Sequence, residues 1–170
     1  MDTQSIKDVN QVNGVFTIDS RLHIQIEDDR ITYSREDVCP YEKRYNIDER
    51  DLKSYISNSD RAIFLAYVDH HVVGQIIIRK NWNKYAYIED LIVDVAYRRQ
   101  GIGVTLLEQA KRWAKEKKLP GIMLETQNNN VAACILYESF GFTLEGVDFY
   151  LYKGLNPSTD EIALYWYYFF

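Results

Sequence analysis

A glycine-spaced turn between a predicted strand and a predicted helix is the stretch best suited to binding an anion. The β-branched-rich run from Tyr87 to Val95 predicts a strand, and the segment 98–103, which reads RRQGIG, follows it. Gly101 and Gly103 lack Cβ atoms, so the backbone can approach a ligand closely there. The first N–H groups of the following helix have no intrahelical acceptor. The spacing predicts a phosphate-binding loop, with an ordinary glycine turn before a helix as the alternative.

Two common phosphate-binding loops are excluded by the same residues. A Walker loop would carry Lys followed by Ser or Thr after its second glycine, and here Val104-Thr105 follows Gly103. The dinucleotide-binding fingerprint would need a third glycine, which is missing. The loop therefore indicates a different phosphate-bearing ligand.

Composition and charge describe a globular protein. The 170 residues are 46% apolar and 26% charged, which predicts a single domain from 1 to 170 with a substantial core. Twenty Lys and Arg against 25 Asp and Glu argue against nucleic acid and are compatible with a cationic substrate. Without a signal pattern or a bilayer-spanning run, no membrane association and a cytoplasmic location are expected. The two cysteines are too few for a disulfide framework or a zinc site, and the choice between monomer and homodimer stays open.

Strand and helix signals alternate along the chain and predict an α/β protein with one mixed sheet and helices on both faces. Residues 1–15 are predicted to be ragged, and residues 30–46 irregular, since Pro40 disfavours a helix there. Strands are predicted at 16–20, 22–26, 62–68, 72–78, 87–95, 122–126, 146–153 and 162–170. Helices are predicted at 48–57, after Gly103 with an end at 118–121, and at 131–140.

Several motifs in order resemble the GNAT acetyltransferase superfamily. The segment 98–103 resembles its acyl-CoA pyrophosphate loop. Asn130, Ala133 and Tyr137, followed by Gly141, match the helix that lines the thioester end of the site. The resemblance implies the GNAT acyl-CoA N-acyltransferase fold, with a central, mostly antiparallel sheet that splays apart at the CoA site beside strand 122–126. It also implies acetyl-CoA as co-substrate and no metal.

The resemblance is closest to the streptothricin (nourseothricin) acetyltransferases. It rests on Trp82-Asn83, Glu89-Asp90, Leu124-Glu125 and the passage 141–152, and is dense after Arg61 and looser before it. Those enzymes acetylate an amine of the β-lysine chain of streptothricin, so an antibiotic-resistance enzyme acting on a cationic small molecule is expected. Two alternatives share the fold. One is an acetyltransferase acting on a protein N-terminus or lysine, and the other is a non-enzymatic acyl-CoA-binding module.

Glu89 and Tyr137 are the candidate catalytic residues. Glu89 is the predicted base, with a structural ion pair or a contact to the substrate ammonium as alternatives. By alternation it shares a face with Leu91 and Val93, and Asp90 faces the other way unless a bulge re-aims it. The helical stripe containing Tyr137 would favour a core role on spacing alone. The resemblance instead places Tyr137 where GNAT enzymes hold the acid that protonates the departing CoA thiolate.

The other candidates divide by ligand. The resemblance and the loop predict acetyl-CoA contacts at Leu91, Ile92, Val93, Arg98, Arg99, Gln100, Gly101, Ile102, Gly103, Val104, Asn130 and Ala133. Carboxylates and aromatic ring faces attract ammonium groups. Acceptor contacts are therefore predicted at Trp82, Asp90, Glu125, Asp148, Tyr150 and Tyr152.

Overall fold

The computed structural model describes residues 5–45 and 52–170 of the chain. Their contacts form two compact units, one within residues 1–16, 44–122 and 170, the other within residues 17–43 and 123–169. The single domain predicted for residues 1 to 170 stays a prediction. Residues 48–51 of the helix predicted at 48–57 lie outside the described part.

Eight strands and three α-helices are present in the described residues. The strands are β1 (Phe16–Glu27), β2 (Arg30–Lys43), β3 (Arg61–Val68), β4 (His71–Lys80), β5 (Ala86–Val93), β6 (Gly121–Gln127), β7 (Thr143–Asp148) and β8 (Ala163–Phe169). The helices are α1 (Ser54–Ser57), α2 (Ile102–Glu116) and α3 (Val131–Phe140), with 3-10 turns at Ser5–Asp8, Val95–Tyr97 and Leu151–Gly154. Along the described chain, every helix is too short or too polar to cross a membrane.

The first unit is built on the antiparallel strands β3, β4 and β5 in that order. Asp69 and His70, with φ of 46° and 66°, make the tight turn between β3 and β4. Helix α2 packs on one face of these strands. A Cβ added at Gly74 of β4 would lie 3.0 Å from Ile102 and 3.1 Å from Leu106, so this glycine permits close packing of the helix.

The opposite face of these strands is covered by the N-terminal segment and α1. Val9 and Tyr55 pack with Ile63 and Ile77 in a buried cluster. The backbone N–H of Asn10 donates a 2.7 Å hydrogen bond to the side chain of Gln75. The prediction that residues 1–15 are ragged is therefore wrong for the described part, because burial of apolar side chains anchors it.

In the second unit, β6, β8 and β7 lie side by side in that order, and β1 and β2 form a separate two-stranded sheet. The irregular structure predicted for residues 30–46 is wrong for residues 30–43, because the left-handed residues Asp28 and Asp29 turn the chain into a second strand, and residue 46 lies outside the described part. Pro40 is exposed on β2, and an outer strand tolerates a residue that lacks an N–H donor.

Helix α3 confirms its prediction at both ends. The side chain of Asn130 accepts a 3.3 Å hydrogen bond from the N–H of Ala133, which caps the helix. Gly141, with φ of 106°, ends it in the left-handed conformation that favours glycine.

The strand predicted at 146–153 is wrong in its second half. Strand β7 ends at Asp148, whose Oδ1 accepts hydrogen bonds from the N–H groups of Tyr150 and Leu151 at 2.8 and 3.0 Å. This side-chain-to-backbone turn diverts the chain into the 3-10 turn Leu151–Gly154.

The two thiols will differ sharply in reactivity. Cys39 is exposed, and burial raises the pKa of the Cys134 thiol to about 12. Because the thiolate is the reactive form, an aromatic disulfide reagent at pH 8 should titrate one thiol per native chain and two after unfolding. The Cys39→Ser variant should show no fast-reacting thiol. Equal rates for both thiols in the native protein would contradict the burial of Cys134.

Candidate active site

The predicted phosphate-binding loop folds as the entry into α2. Asp94 caps the 3-10 turn after β5 by accepting a 2.9 Å hydrogen bond from the N–H of Ala96. Gly101 has φ of 82° and is the N-cap of α2. Helix geometry leaves the N–H groups of residues 102–104 without intrahelical acceptors at the positive end of the helix dipole. The loop thus has the geometry of an anion site.

The space beside Gly101 is open. A Cβ added at this residue would meet no atom within 4 Å, which leaves room for a ligand group against the backbone. Arg99, with φ of 63°, also has the left-handed conformation. Leu91, Ile92 and Val93 pair with β4 along one side of their strand.

Arg98 is engaged with the backbone of its own unit. Its Nε and Nη2 donate hydrogen bonds to the carbonyls of Val93 at 3.1 Å and Val15 at 2.7 Å. Burial lowers the pKa of its guanidinium, and Asp94 opposes that effect. Arg98 is thus anchored to the backbone and is not a freely solvated side chain. A phosphate held by this loop would contact backbone N–H groups first.

A β-bulge places Glu89 and Asp90 on the same face of β5. Asp90 pairs with Ile77 of β4 and Ile88 pairs with Ile78, so Glu89 is the extra residue of the bulge. The shared face predicted for Glu89 with Leu91 and Val93 is therefore wrong, and Asp90 faces the same way as Glu89, as the exception for a bulge allowed. The alternation of side chains between the two faces of β5 is broken here by the bulge.

Both carboxylates are held by side chains on that face. Glu89 accepts a 3.0 Å hydrogen bond from Arg79 Nε and a further one from the Tyr55 hydroxyl. Asp90 accepts a 2.5 Å hydrogen bond from Gln75, which is fully buried. The Glu89 side chain is 18% exposed and forms the ion pair expected of the alternative role. Each carboxylate oxygen has two lone pairs, so Glu89 can still accept a hydrogen bond from a further donor.

Tyr137 lies in the core of the second unit and is 6% exposed. Its ring centroid is 5.8 Å from that of Phe142 and 6.4 Å from that of Trp166. The aromatic packing fits the core role that the helical stripe predicts. It also holds the ring in one orientation, which a proton donor requires.

Two pairs among the predicted acceptor residues come together in the second unit. The Tyr152 hydroxyl donates to Glu125, and Asp148 caps the loop that begins at Tyr150. Burial raises the pKa of Glu125, while its hydrogen bond from Tyr152 lowers it. Tyr150 is 75% exposed, and the Lys153 ammonium lies 4.9 Å from the centroid of its ring. In the first unit, Trp82 lies in the turn after β4 and is 90% exposed.

Several polar residues around these carboxylates were missed from the sequence. In the first unit they are Tyr55, Gln75 and Arg79. In the second they are Lys43, Asn129 and Glu161, where Lys43 pairs with Glu161 and Asn129 donates to Glu161 at 3.0 Å. Each of these residues contacts partners that are distant in the sequence, so no local sequence pattern predicts them. The one local signal is the run of three asparagines at 128–130.

Comparisons with known proteins agree with this geometry. The sequence profile of the Acetyltransferase (GNAT) family matches residues 25–142. The chain is 41% identical to streptothricin acetyltransferase A of Bacillus subtilis (strain 168), over 96% of this chain and 94% of that one. It is 38% identical to a streptothricin acetyltransferase of Escherichia coli, over 91% of this chain and 85% of that one.

A crystal structure has the same fold. It is of a Bacillus anthracis protein assigned as a streptothricin acetyltransferase, in complex with acetyl coenzyme A. It superposes with a TM-score of 0.91 at 46% identity, over 100% of this chain and 94% of that one. The mixed α/β fold expected from the sequence is confirmed, and the chain is a member of the GNAT acetyltransferase family.

Proposed function

We propose that this enzyme transfers the acetyl group of acetyl-CoA to an amine of the β-lysine chain of streptothricin, which inactivates the antibiotic. The observation that carries the proposal is the 41% identity to a streptothricin acetyltransferase across nearly the whole chain. The loop at Gly101 supports it, because it has the open space and the helix N-terminus that a pyrophosphate needs. We place the reaction in the cytoplasm and in a single domain.

Acetyl-CoA supplies the acetyl group as an activated thioester. In this proposal the N–H groups at the start of α2 bind its pyrophosphate, and β5 binds the pantetheine amides through backbone groups. Asn130 and Ala133, at the start of α3, contact the pantetheine near the thioester. Among the described residues, no group of His, Cys, Asp and Glu has the arrangement of a metal site, and no proposed step requires a metal.

Two proton transfers accompany the reaction. The acceptor amine has an ordinary pKa near 10, so it must lose a proton before its nitrogen attacks the thioester carbonyl. Glu89 accepts that proton, directly or through water. As the new C–N bond forms and the C–S bond breaks, the Tyr137 hydroxyl donates its proton to the departing sulfur. Besides these two transfers, the attacking nitrogen loses a second proton to water once the C–N bond has formed, because the amide keeps only one N–H. Glu89 returns its proton to solvent and Tyr137 is reprotonated from solvent, so the products are the amide, the CoA thiol and one proton.

The acceptor side is expected to favour a molecule with several positive charges. Asp90, Glu125 and Asp148 supply negative charge, and Trp82, Tyr150 and Tyr152 supply aromatic rings. A peptide N-terminus carries one ammonium and would use fewer of these groups. Acetylation of peptides is the second candidate function, and it shares the cofactor chemistry.

Streptothricin should therefore be a far better acceptor than any N-terminal peptide. The measurement is kcat/KM for both acceptors, followed through the released CoA thiol in the Cys39→Ser background. Higher kcat/KM for peptides, or the absence of streptothricin resistance in a strain that expresses the protein, would contradict the proposed substrate.

The Asp148→Asn variant should weaken acceptor binding selectively. Asparagine keeps the Oδ1 that caps the loop and removes only the charge. A half-buried charge contributes modestly, so KM for streptothricin should rise about three- to tenfold with acetyl-CoA binding unchanged. The rise should shrink at high salt, which screens the attraction. The control is Asp37→Asn, which removes a carboxylate that is 89% exposed and should change neither KM.

A further inference from the structure

A short segment before β1 lies against both the strand and the loop of the proposed acetyl-CoA site. Residues 13–15, the N-terminal strap, belong to the first unit, as do β5 and the loop from Asp94 to Gly101. The chain just before the strap is anchored separately, since the N–H of Asn10 donates to Gln75 at 2.7 Å and Gln75 Nε2 donates back to Asn10 at 3.0 Å. The strap therefore reaches the site from a fixed starting point.

Three hydrogen bonds tie the strap to the loop. The N–H of Asn13 donates to Asp94 Oδ2 at 3.1 Å, and the carbonyl of Asn13 accepts from the N–H of Val95 at 3.1 Å. Arg98 Nη2 donates to the carbonyl of Val15 at 2.7 Å, while its Nε donates to the last carbonyl of β5. The guanidinium thus joins the strap to the end of β5 through two separate nitrogen atoms.

Gly14 makes this close approach possible. A Cβ added at Gly14 would lie 2.9 Å from Cγ2 of Ile92 on β5, which is closer than two such carbon atoms can pack. Cγ2 is bonded to the branched Cβ of Ile92, so it moves only when χ1 rotates, and χ1 of a β-branched residue is stiff. Any other residue at position 14 would therefore push the strap away from β5 and strain its hydrogen bonds to the loop.

The second half of the loop contains a strained stretch that depends on its surroundings. Arg99 and Gly101 both have left-handed backbones, with φ of 63° and 82°, and a residue with a Cβ disfavours that conformation. Hydrogen bonds of 2.9 Å from the N–H groups of Ala96 and Tyr97 to Asp94 order the first half. A site that is ordered before its ligand arrives binds more tightly, because the cost of ordering is not deducted from the binding free energy.

We propose that the N-terminal strap is a positioning element for acetyl-CoA, in which Gly14 and Arg98 are the decisive residues. The strap holds the loop so that the N–H groups at the start of α2 face the pyrophosphate. Arg98 acts through the carbonyl of Val15 and not as a ligand of the phosphate. The inference rests on the proposed function, since that function assigns the pyrophosphate to this loop.

The Gly14→Ala variant should bind acetyl-CoA about tenfold more weakly in calorimetric titration, because the ligand must then order the loop. Its KM for acetyl-CoA should rise, and its KM for streptothricin should stay within about twofold of the parent. The matched control is Gly146→Ala on β7, where a Cβ would lie at an ordinary 3.4 Å from Tyr165 and acetyl-CoA affinity should not change. A folded Gly14→Ala with parent-like affinity would reduce the strap to a packing contact and overturn the proposal.

Changing Ile92 provides a rescue that depends on the collision itself. Ile92→Ala removes Cγ2, so adding Gly14→Ala in that background should cost less than about twofold in acetyl-CoA affinity. Ile92→Val keeps a methyl group at the position of Cγ2, so the full loss caused by Gly14→Ala should persist there. Equal losses in the two backgrounds would overturn the proposal, because the collision would then not be the cause.

Arg98 gives a second test that holds even if Gly14→Ala does not fold. Lysine keeps the positive charge, but its single nitrogen cannot replace the two that bind separate carbonyls. Arg98→Lys should therefore lose as much acetyl-CoA affinity as Arg98→Met, about tenfold, whereas lysine would largely replace a phosphate ligand. Where Gly14→Ala folds, it should add little to either loss, because both changes break the same link. Near-parent affinity of Arg98→Lys, or losses that multiply in the double variant, would contradict the positioning role.

Failure of the strap and failure of the proposed function are distinguishable. An enzyme that acetylates streptothricin, and whose Gly14→Ala and Arg98→Lys variants bind acetyl-CoA like the parent, has the function without the strap. A protein whose acetyl-CoA affinity depends on the strap but that acetylates no streptothricin has the strap without the function. A parent protein that binds no acetyl-CoA refutes both. Unfolding midpoints of all variants separate misfolding from the loss of ligand binding.

Discussion

Replacing Gly101 with valine will reduce acetyl-CoA affinity by about a hundredfold or more. Two effects combine. The φ of 82° at Gly101 is unfavourable for a β-branched residue, so the start of α2 is strained. The new side chain also enters a space that no atom of the protein fills within 4 Å, so any collision falls on the ligand. Calorimetric titration with acetyl-CoA measures the loss.

Two further variants separate the strain from the occupied space. Asparagine tolerates the left-handed conformation, so Gly101→Asn should keep the loop geometry and still weaken binding through its Cβ. At Gly154, a Cβ would also meet nothing within 4 Å, and no ligand is proposed there, so Gly154→Asn should bind like the parent. A folded Gly101→Val that binds acetyl-CoA normally would show that the segment is merely a turn.

Features with local signals were predictable from the sequence. Helix α3 spans 131–140, as predicted, because its cap at Asn130 and its stop at Gly141 lie next to it in the chain. The hairpin turn at Asp69 and the glycine loop before α2 are local in the same sense. In each case a few neighbouring residues determine the backbone conformation, so their spacing in the sequence is enough for the prediction.

Features that depend on distant partners were not predictable. The bulge at Glu89 exists only in the pairing of β5 with β4, and without it Asp90 would face the other side. The residues that hold these carboxylates, Tyr55, Gln75 and Arg79, are set by that same pairing and by packing on its face. Sequence alternation cannot contain this information, because inserting one residue into a ladder reverses the orientation of the residues beyond it.

The cluster at Glu161 has the same origin. Lys43 ends β2, in a segment predicted to be irregular, and Glu161 precedes β8, 118 residues later. No local pattern relates two such residues. The family resemblance identified the chemistry of the enzyme, whereas contacts between residues so far apart in the sequence come from the three-dimensional packing.

For Tyr137, the sequence supports two roles that burial alone does not separate. Its ring packs against Phe142 and Trp166, as a core residue would. The proposed proton transfer uses only its hydroxyl. Removing the oxygen while keeping the ring therefore separates the chemical role from the packing role.

The Tyr137→Phe variant will lower turnover by about a hundredfold or more, which is the usual contribution of a positioned general acid. Its acetyl-CoA affinity should be unchanged and its unfolding midpoint close to that of the parent, because phenylalanine keeps the ring contacts.

The matched control is Tyr33→Phe, since the Tyr33 ring lies 6.2 Å from the same Trp166 and its hydroxyl bonds to Glu138. That control should turn over within about twofold of the parent. The rate is read from released CoA at saturating streptothricin, so it reports kcat rather than binding. A near-normal rate for Tyr137→Phe would leave Tyr137 as a core residue and require another proton source for the departing thiolate.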